Sequence, residues 1–429
     1  MPADWAELYE GLRAKLGLRE KHIMDLRPER RELFIEATEA LRERFVLRVV
    51  SRAELEEARA WIKELEACTE RLGEFLGVSG ISYTRELGSF LADPLAHLKK
   101  KIFIYTFDLL AGKLDMERFE RKAAAAIRTS LRTNMRSIYQ TWVFLKLLEL
   151  LAASRPLRLI YPEHGLLYVE RSGRQRTGSI PPNCVVGCAG RGALSFFLEV
   201  PRPIAWEDGT DLARVWKFYV ALRPDMMVYG GVVMDIAQPS ADPPVRRPDF
   251  IVECKELSDW YERVRDLRGQ LSRPLSAEEW RALWLKGLWD GLAAAMGVGK
   301  REVVRMLREE RSVRLREPQL VRLYRSVYRP DRMVLVSRTP VPDEVREELE
   351  ASGITVLDGV GFRGKKLEPL VEELLSAARA WRGSPDLLSQ VADLLGLTRY
   401  DRRALEKAIL GLVREHKDDL LARLQAKRE

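Results

Sequence analysis

Amides, thiols and imidazoles are scarce in this chain of 429 residues, which holds two Asn (Asn134 and Asn183), seven Gln, four Cys and four His. Few heat-labile amides beside 32% charged residues is the composition of a thermophile protein. Cys68, Cys184, Cys188 and Cys254 form no disulfide framework and are too scattered for a zinc site. Cys184 and Cys188, in Asn-Cys-Val-Val-Gly-Cys with no His nearby, read as small buried hydrophobes. His22, His97, His164 and His416 are widely separated, leaving no basis for a His-based metal site or a Ser-His-Asp triad. The most apolar helix, near 138–153, is interrupted by Lys146 and Glu149, so no membrane span is expected. The start, MPADWAELYE, lacks the basic head and apolar core of a signal peptide. The cytoplasm is the expected location. No repeat of 20–50 residues occurs, and Gly297-Val298-Gly299-Lys300 has the wrong spacing for a phosphate-binding loop.

What is present is an ordinary globular share of apolar residues, 46%, with 72 Lys+Arg against 64 Asp+Glu, a net charge of +8. The excess favours an anionic partner, nucleic acid first, and requires any basic surface to be local. The length predicts two or three domains. A helical N-terminal region is expected over 1–130, an α/β core over 131–365 and a helical C-terminal region over 366–429. Ser51-Arg-Ala-Glu54 is a capping box. It opens a long helix with a stripe of Leu55, Ala58, Ile62, Leu65, Leu72 and Leu76. Three heptads favour packing within one bundle over a coiled-coil dimer, although the N-terminal helices remain a candidate surface for a second copy or a protein partner. Further helices are expected near 94–111, 115–131 and 134–153. Lys99-Lys100-Lys101 reads as a solvated helix end.

After Arg155-Pro156 the pattern changes to short apolar runs split by Gly, Pro and Asn. Strands are expected at 157–161, 165–170, 194–200, 216–222, 226–229 and 250–255, and a loop at 235–248. Helices are expected from about 259 to 327. Met333–Ser337, Pro342–Ala351 and Ile354–Leu357 read as a β–α–β unit, with Gly353 ending the helix. A parallel pair needs both faces covered, so the sheet is mixed and flanked by helices.

The chemistry concentrates in Pro224-Asp225 and in Phe250-Ile251-Val252-Glu253-Cys254-Lys255. Residues two apart on a strand share a face, so Glu253 and Lys255 stand side by side. If the strand after Asp225 runs antiparallel to 250–255, Asp225 and Glu253 converge. Two carboxylates, with the Cys254 carbonyl between them, suit Mg²⁺, or Mn²⁺ in its place. A lysine beside the ion can hold a water for attack, and the ion stabilises charge developing on a phosphate. Asp235, 18 residues before Glu253, is the runner-up for the first carboxylate. Asp249 lies four residues from Glu253 on one strand, some 13 Å away, and reads as a cap of the strand start. Arg223, Arg246, Arg247 and Lys255 are the expected phosphate contacts.

Pro224-Asp225 followed, after 27 intervening residues, by Glu253-Cys254-Lys255, behind a helix and ahead of a helix and two strands, resembles the PD-(D/E)xK nuclease superfamily. The resemblance covers roughly 135–360. It implies a restriction-endonuclease-like α/β fold and metal-dependent hydrolysis of DNA, with Asp225, Glu253 and Lys255 as the catalytic set. Ile138-Tyr139-Gln140-Thr141-Trp142-Val143 further resembles the Tyr-Glu-x-Trp helix of McrC-type nucleases, where an acid completes the metal site. Here that position is Gln140. The departure keeps an alternative open: a nuclease-fold protein that no longer cleaves and serves as a nucleic-acid-binding or scaffold subunit. A plain helical interaction protein, resting on 1–153, is the third reading.

Two other patterns have simpler readings. Ala293, Gly297, Val303 and Met306 have helix-turn-helix spacing, with Lys300, Arg301 and Arg305 toward a nucleic acid. Two packed helices joined by a Gly turn need the same residues, and Val391-Ala392 to Gly396-Leu397 repeats the spacing less well. Trp280, Trp284, Leu288 and Trp289 lie close on one helix, and core packing is favoured over base stacking.

Overall fold

The structure, a computed structural model, describes residues 5–169, 179–203, 216, 219–238, 241–266, 279–299, 301–303, 305, 314–379, 408, 411, 415 and 416; of 279–286 it describes the main chain alone. The chain divides into two compact units, Met1–Ala378 and Arg379–Glu429. Most of the expected helical tail, and the second helix-turn-helix spacing, lie outside the described residues.

Seven helices lead: α1 (Trp5–Leu16), α2 (Pro28–Ala37), α3 (Glu39–Val49), α4 (Arg52–Leu76), then after β1 (Gly80–Ser82) α5 (Arg85–Ala92), α6 (Pro94–Lys101) and α7 (Phe103–Leu110). The capping box forms as read: Glu54 N donates to Ser51 Oγ at 3.2 Å and Ser51 N to Glu54 Oε2 at 2.8 Å. Gly77, in the left-handed region at φ 62°, ends α4. The whole apolar stripe of α4 is buried within the chain. Lys99 reaches Glu39 and Glu43, and Lys101 reaches Glu86, so two of the three lysines at the end of α6 are paired, while Lys100 is exposed.

α8 (Met116–Ser154) is one helix of 39 residues where two were expected. It contains no Gly or Pro, and Asn134, where the second helix was expected to start, satisfies itself inside the helix by donating to Ser130 O at 2.8 Å. The expected boundary at 130/131 falls inside it.

Then come β2 (Leu157–Tyr161), β3 (Leu166–Tyr168), β4 (Cys184–Cys188), β5 (Gly192–Leu198), β6 (Met226–Gly230), β7 (Phe250–Lys255), β8 (Val264–Asp266), α9 (Glu279–Met296), β9 (Arg314–Arg316), α10 (Glu317–Tyr328), β10 (Arg332–Ser337), α11 (Asp343–Ala351), β11 (Thr355–Leu357) and α12 (Glu368–Ala377). Seven strands make one mixed sheet in the order β11-β10-β7-β6-β5-β4-β2. β7, β10 and β11 are parallel, and the rest of the sheet is antiparallel. The fold is therefore α/β, with the β10–α11–β11 unit as expected.

Alternate strand residues supply two cores. Phe196, Val228, Val252 and Val334 face the helices led by α8, with Phe144 against Phe196. Phe197, Met227, Ile251 and Leu335 face α10 and its Leu320, Tyr324 and Tyr328. Burial on both faces explains why these strands read as continuous apolar runs.

Two further expectations fail. Trp216 and Tyr219–Ala221 are helical, not a strand. Trp216, Tyr219 and Leu222 are buried at three-residue spacing, which is a helix face that their aromatic character disguised. The stretch 259–327 is not all helix, since β8 and β9 pair antiparallel within it. Both strands are short and charged, with too little alternation to read.

Candidate active site

The antiparallel pairing of β6 and β7 sets Met226 opposite Val252. One step further along each strand brings Asp225 to Glu253. Asp225 N donates to Glu253 Oε2 at 3.1 Å, and Cys254 N donates to Asp225 Oδ2 at 2.7 Å. From α8, Gln140 Nε2 donates to Asp225 Oδ1 at 2.5 Å. Lys255, on the same side of β7 as Glu253, places Nζ 2.9 Å from Glu253 Oε1 and 2.7 Å from Glu317 Oε2. Asp225, Glu253, Lys255 and Gln140, four residues singled out from the sequence, thus meet at one sheet end. They border a cavity of about 360 Å³.

The charges there are not balanced by water. Burial pushes the Glu253 carboxyl up to about 8, and the neighbouring Asp225 charge adds to the rise while Lys255 opposes it. Burial also raises Asp225, against the pull of Lys255 and the Cys254 N–H. Burial works against the Lys255 ammonium, but Glu253, Glu317 and Asp225 hold it well above its ordinary value. Burial works against ionised Glu317 too, yet Lys255, Arg265 and Arg136 keep it below the usual carboxylate range. Two carboxylates face each other with one lysine shared between one of them and Glu317. That pair gains most from one more cation.

Among the described residues no three of His, Cys, Asp and Glu gather as a ready metal cluster. Mg²⁺ does not require one, since it commonly takes one or two carboxylates and keeps several waters. Asp225 and Glu253 fit that need. The contact Cys254 makes with Asp225 is through its N–H, a hydrogen bond the sequence did not suggest.

The other candidates lie elsewhere. Asp235 is exposed and accepts from Ile180 N at 2.8 Å and Ala237 N at 3.0 Å, so it ties a loop. Asp249 accepts from Gly230 N at 2.8 Å and closes the start of β7, as read. Of the expected phosphate contacts, Arg223 and Lys255 line the cavity. Arg246 and Arg247 precede β7 at its opposite end, and Arg247 is tied to Asp331. Ala293 and Val303 pack into the α10-side core and Gly297 is left-handed at φ 69°. Arg305 pairs with Glu302, while Lys300 and Met306 lie outside the described residues. Leu288 is buried and Trp289 packs on the same core; the side chains of Trp280 and Trp284 lie outside the described residues. All four cysteines are free and buried. His97 is buried against Ser130.

Sequence reasoning missed Glu317, Glu199 and the cavity arginines Arg132, Arg136, Arg263 and Arg265. Glu317 stands 62 residues from Lys255, and only its place just before Pro318 at a helix start was visible. Glu199 N donates to Asp225 O at 2.9 Å from a left-handed backbone, φ 46°, that a non-glycine residue rarely adopts.

Comparison with known proteins finds no matching family model, curated protein or solved structure.

No helix of the described residues is long and apolar enough to cross a membrane.

Proposed function

We propose that the chain is a Mg²⁺-dependent nuclease of the restriction-endonuclease-like type, hydrolysing phosphodiester bonds in DNA. The observation that carries this reading is the convergence of Asp225, Glu253 and Lys255 at one sheet end. The order of elements supports it too: α8 precedes the strands, and α10 with two further parallel strands follows. Asp225 and Glu253, with the Cys254 carbonyl, would hold the ion, which when bound supplies Lewis-acid stabilisation of charge on the phosphate.

Lys255 has three N–H donors. Glu253 and Glu317 take two of them, and the third is left for a water or a phosphate oxygen. Because its neighbours keep it protonated, Lys255 acts as a fixed positive charge and a hydrogen-bond donor, not as a base. Gln140 and the Cys254 N–H fix the Asp225 carboxylate from two sides. Positioning of this kind, with charge aimed at the developing transition state, is most of what phosphodiester hydrolysis requires.

Gln140 supports the second reading. Its amide occupies the place where the resembled helix carries an acid, so the site has one carboxylate fewer and could bind nucleic acid without cutting it. Incubation with single-stranded, double-stranded and branched DNA, with Mg²⁺ or Mn²⁺, beside Lys255→Ala, separates the two. Cleavage by the wild type alone supports the nuclease; binding without cleavage under every condition supports the degenerate protein.

A further inference from the structure

Along α8, Arg128, Arg132, Arg136 and Gln140 follow one another at intervals of four residues. Such positions form one ridge of the helix surface. Each step rises about 6 Å and the ridge spans about 18 Å. It ends at the site: Gln140 donates to Asp225, and Arg136 and Arg132 line the same cavity. Arg128 lies one step further out.

The three arginines are exposed, and none forms an ion pair or hydrogen bond among the described residues. Two other basic residues of the helix are paired. Arg118 pairs with Asp115 and Lys146 with Glu149. The carboxylates that feel the ridge do so at longer range: Arg136 acts on Asp225, Glu256 and Glu317, and Arg132 on Asp259, which is itself held by Arg263. Three exposed guanidiniums at a regular interval match an anion that repeats at a regular interval. A single phosphate or a mononucleotide could meet only one of them at a time.

We infer that this ridge is the track of a single nucleic-acid strand: consecutive backbone phosphates sit on Arg128, Arg132 and Arg136 and lead the strand into the cavity at Asp225 and Glu253. The inference rests on the reading of that cavity as a phosphodiester site. A single strand fits better than a duplex for two reasons. The ridge is one side chain wide, so it follows one backbone, whereas a duplex presents two. The cavity lining also holds Arg132 and Arg136 from α8 together with Arg263 and Arg265 around β8, and Glu253 in that lining is 3% exposed. A phosphate must be threaded in to reach it.

The test is binding without metal, so that it does not depend on cleavage. A labelled 12-nucleotide thymidine oligomer is titrated in EDTA across a salt series by fluorescence anisotropy. Variants are Arg128→Ala, Arg132→Ala, Arg136→Ala, all three together, and Lys15→Ala on α1 as an exposed control of equal charge. Each ridge arginine that meets a phosphate should lower the slope of log affinity against log salt by about 0.7, and the triple change by about 2. Lys15→Ala should leave it unchanged. Thermal melting confirms that each variant is folded. A folded triple variant with the wild-type slope overturns the track. So does a blunt hairpin of equal charge bound as tightly with the same losses, or inorganic polyphosphate that competes as well as the oligomer. Cleavage by the wild type with an unchanged slope in the triple variant would remove the track and leave the nuclease reading intact. A reduced slope in a protein that cuts nothing would do the reverse.

Discussion

The two ends of β7 are built from the same sequence and behave differently. Each has a Pro-Asp beside it: Pro248-Asp249 at its start and Pro224-Asp225 against its finish. Asp249 is settled, because its carboxylate accepts the Gly230 N–H and basic Arg247 nearby has its own partner in Asp331. Asp225 lies against a second acid, Glu253, and the one lysine that lines the cavity among the described residues is divided between Glu253 and Glu317. A carboxylate that completes a hydrogen-bond pattern is architecture. One that faces another carboxylate in a cavity stores unfavourable charge, and sites that do chemistry store charge in this way.

The largest contrast should appear in cleavage. Glu253→Ala removes a proposed ion ligand and should abolish the reaction. Lys255→Ala should slow it about 10³-fold, as loss of an aimed charge in a closed site does, while Mg²⁺ affinity stays near wild type because Lys255 acts on the water or the phosphate. Gel assays of DNA cleavage with calorimetric Mg²⁺ titration check both. Cleavage that survives in the double variant would mean the site lies elsewhere.

The stored charge should also show in pH dependence. The Glu253 carboxyl stands at about 8 in the folded protein against an ordinary value of 4.5. A carboxyl raised on folding favours the protonated native state, so its contribution is present below the ordinary value and is lost as pH rises toward 8. Metal-free protein should therefore be less stable at pH 9 than at pH 6, by on the order of 1–3 kcal/mol, in denaturant unfolding. Mg²⁺ should restore most of the loss, and Glu253→Gln should flatten the pH dependence. A metal-free protein equally stable at both pH values, with Glu253→Gln behaving identically, would show that the two acids are not in conflict.

At the other end of β7, Asp249→Ala should reverse the pattern. It leaves the buried Gly230 N–H without its acceptor, which costs about 1–3 kcal/mol of stability, and it should leave the turnover of folded protein near wild type. Urea unfolding beside a cleavage assay distinguishes the two effects. A large loss of turnover at unchanged stability would erase the distinction between the ends.

How much of this was legible follows from what short spacing can carry. Glu253 and Lys255 are two apart on an apolar strand, and the pleat alone put them together. Asp225 required one further step, the antiparallel pairing of β6 and β7, which the sequence reading carried only as a condition. The single length of α8 was missed because a second helix was expected to begin at Asn134, whose side chain instead bonds Ser130 within the helix. Glu317 was beyond reach, since it arrives from a helix 62 residues along that no local pattern ties to Lys255. The arginine ridge was present in the letters as a four-residue interval, but its meaning depends on the end of that helix touching Asp225. Local chemistry was readable; the long-range contacts that complete the site were not.

The smallest expected effect is also the most informative about which of the two readings holds. In Gln140→Glu the amide that donates to Asp225 Oδ1 becomes a carboxylate that cannot donate, and a third negative charge joins Asp225 and Glu253. Without metal this should cost about 1–2 kcal/mol, as placing like charges together in a partly buried site does. With Mg²⁺ the sign reverses, because an added hard oxygen ligand suits the ion, and the affinity should rise a few-fold by calorimetric titration. The rate then decides between the readings. If wild-type protein already cleaves, the change should raise turnover only modestly, because Lys255 and the two acids are in place. If wild-type protein is inert with Mg²⁺ and Mn²⁺ and Gln140→Glu cleaves, the native chain is a nuclease fold one carboxylate short, and its role is to hold a strand that it does not cut. If the variant binds Mg²⁺ no more tightly than the wild type, α8 contributes nothing to an ion site, and Gln140 serves only to orient Asp225.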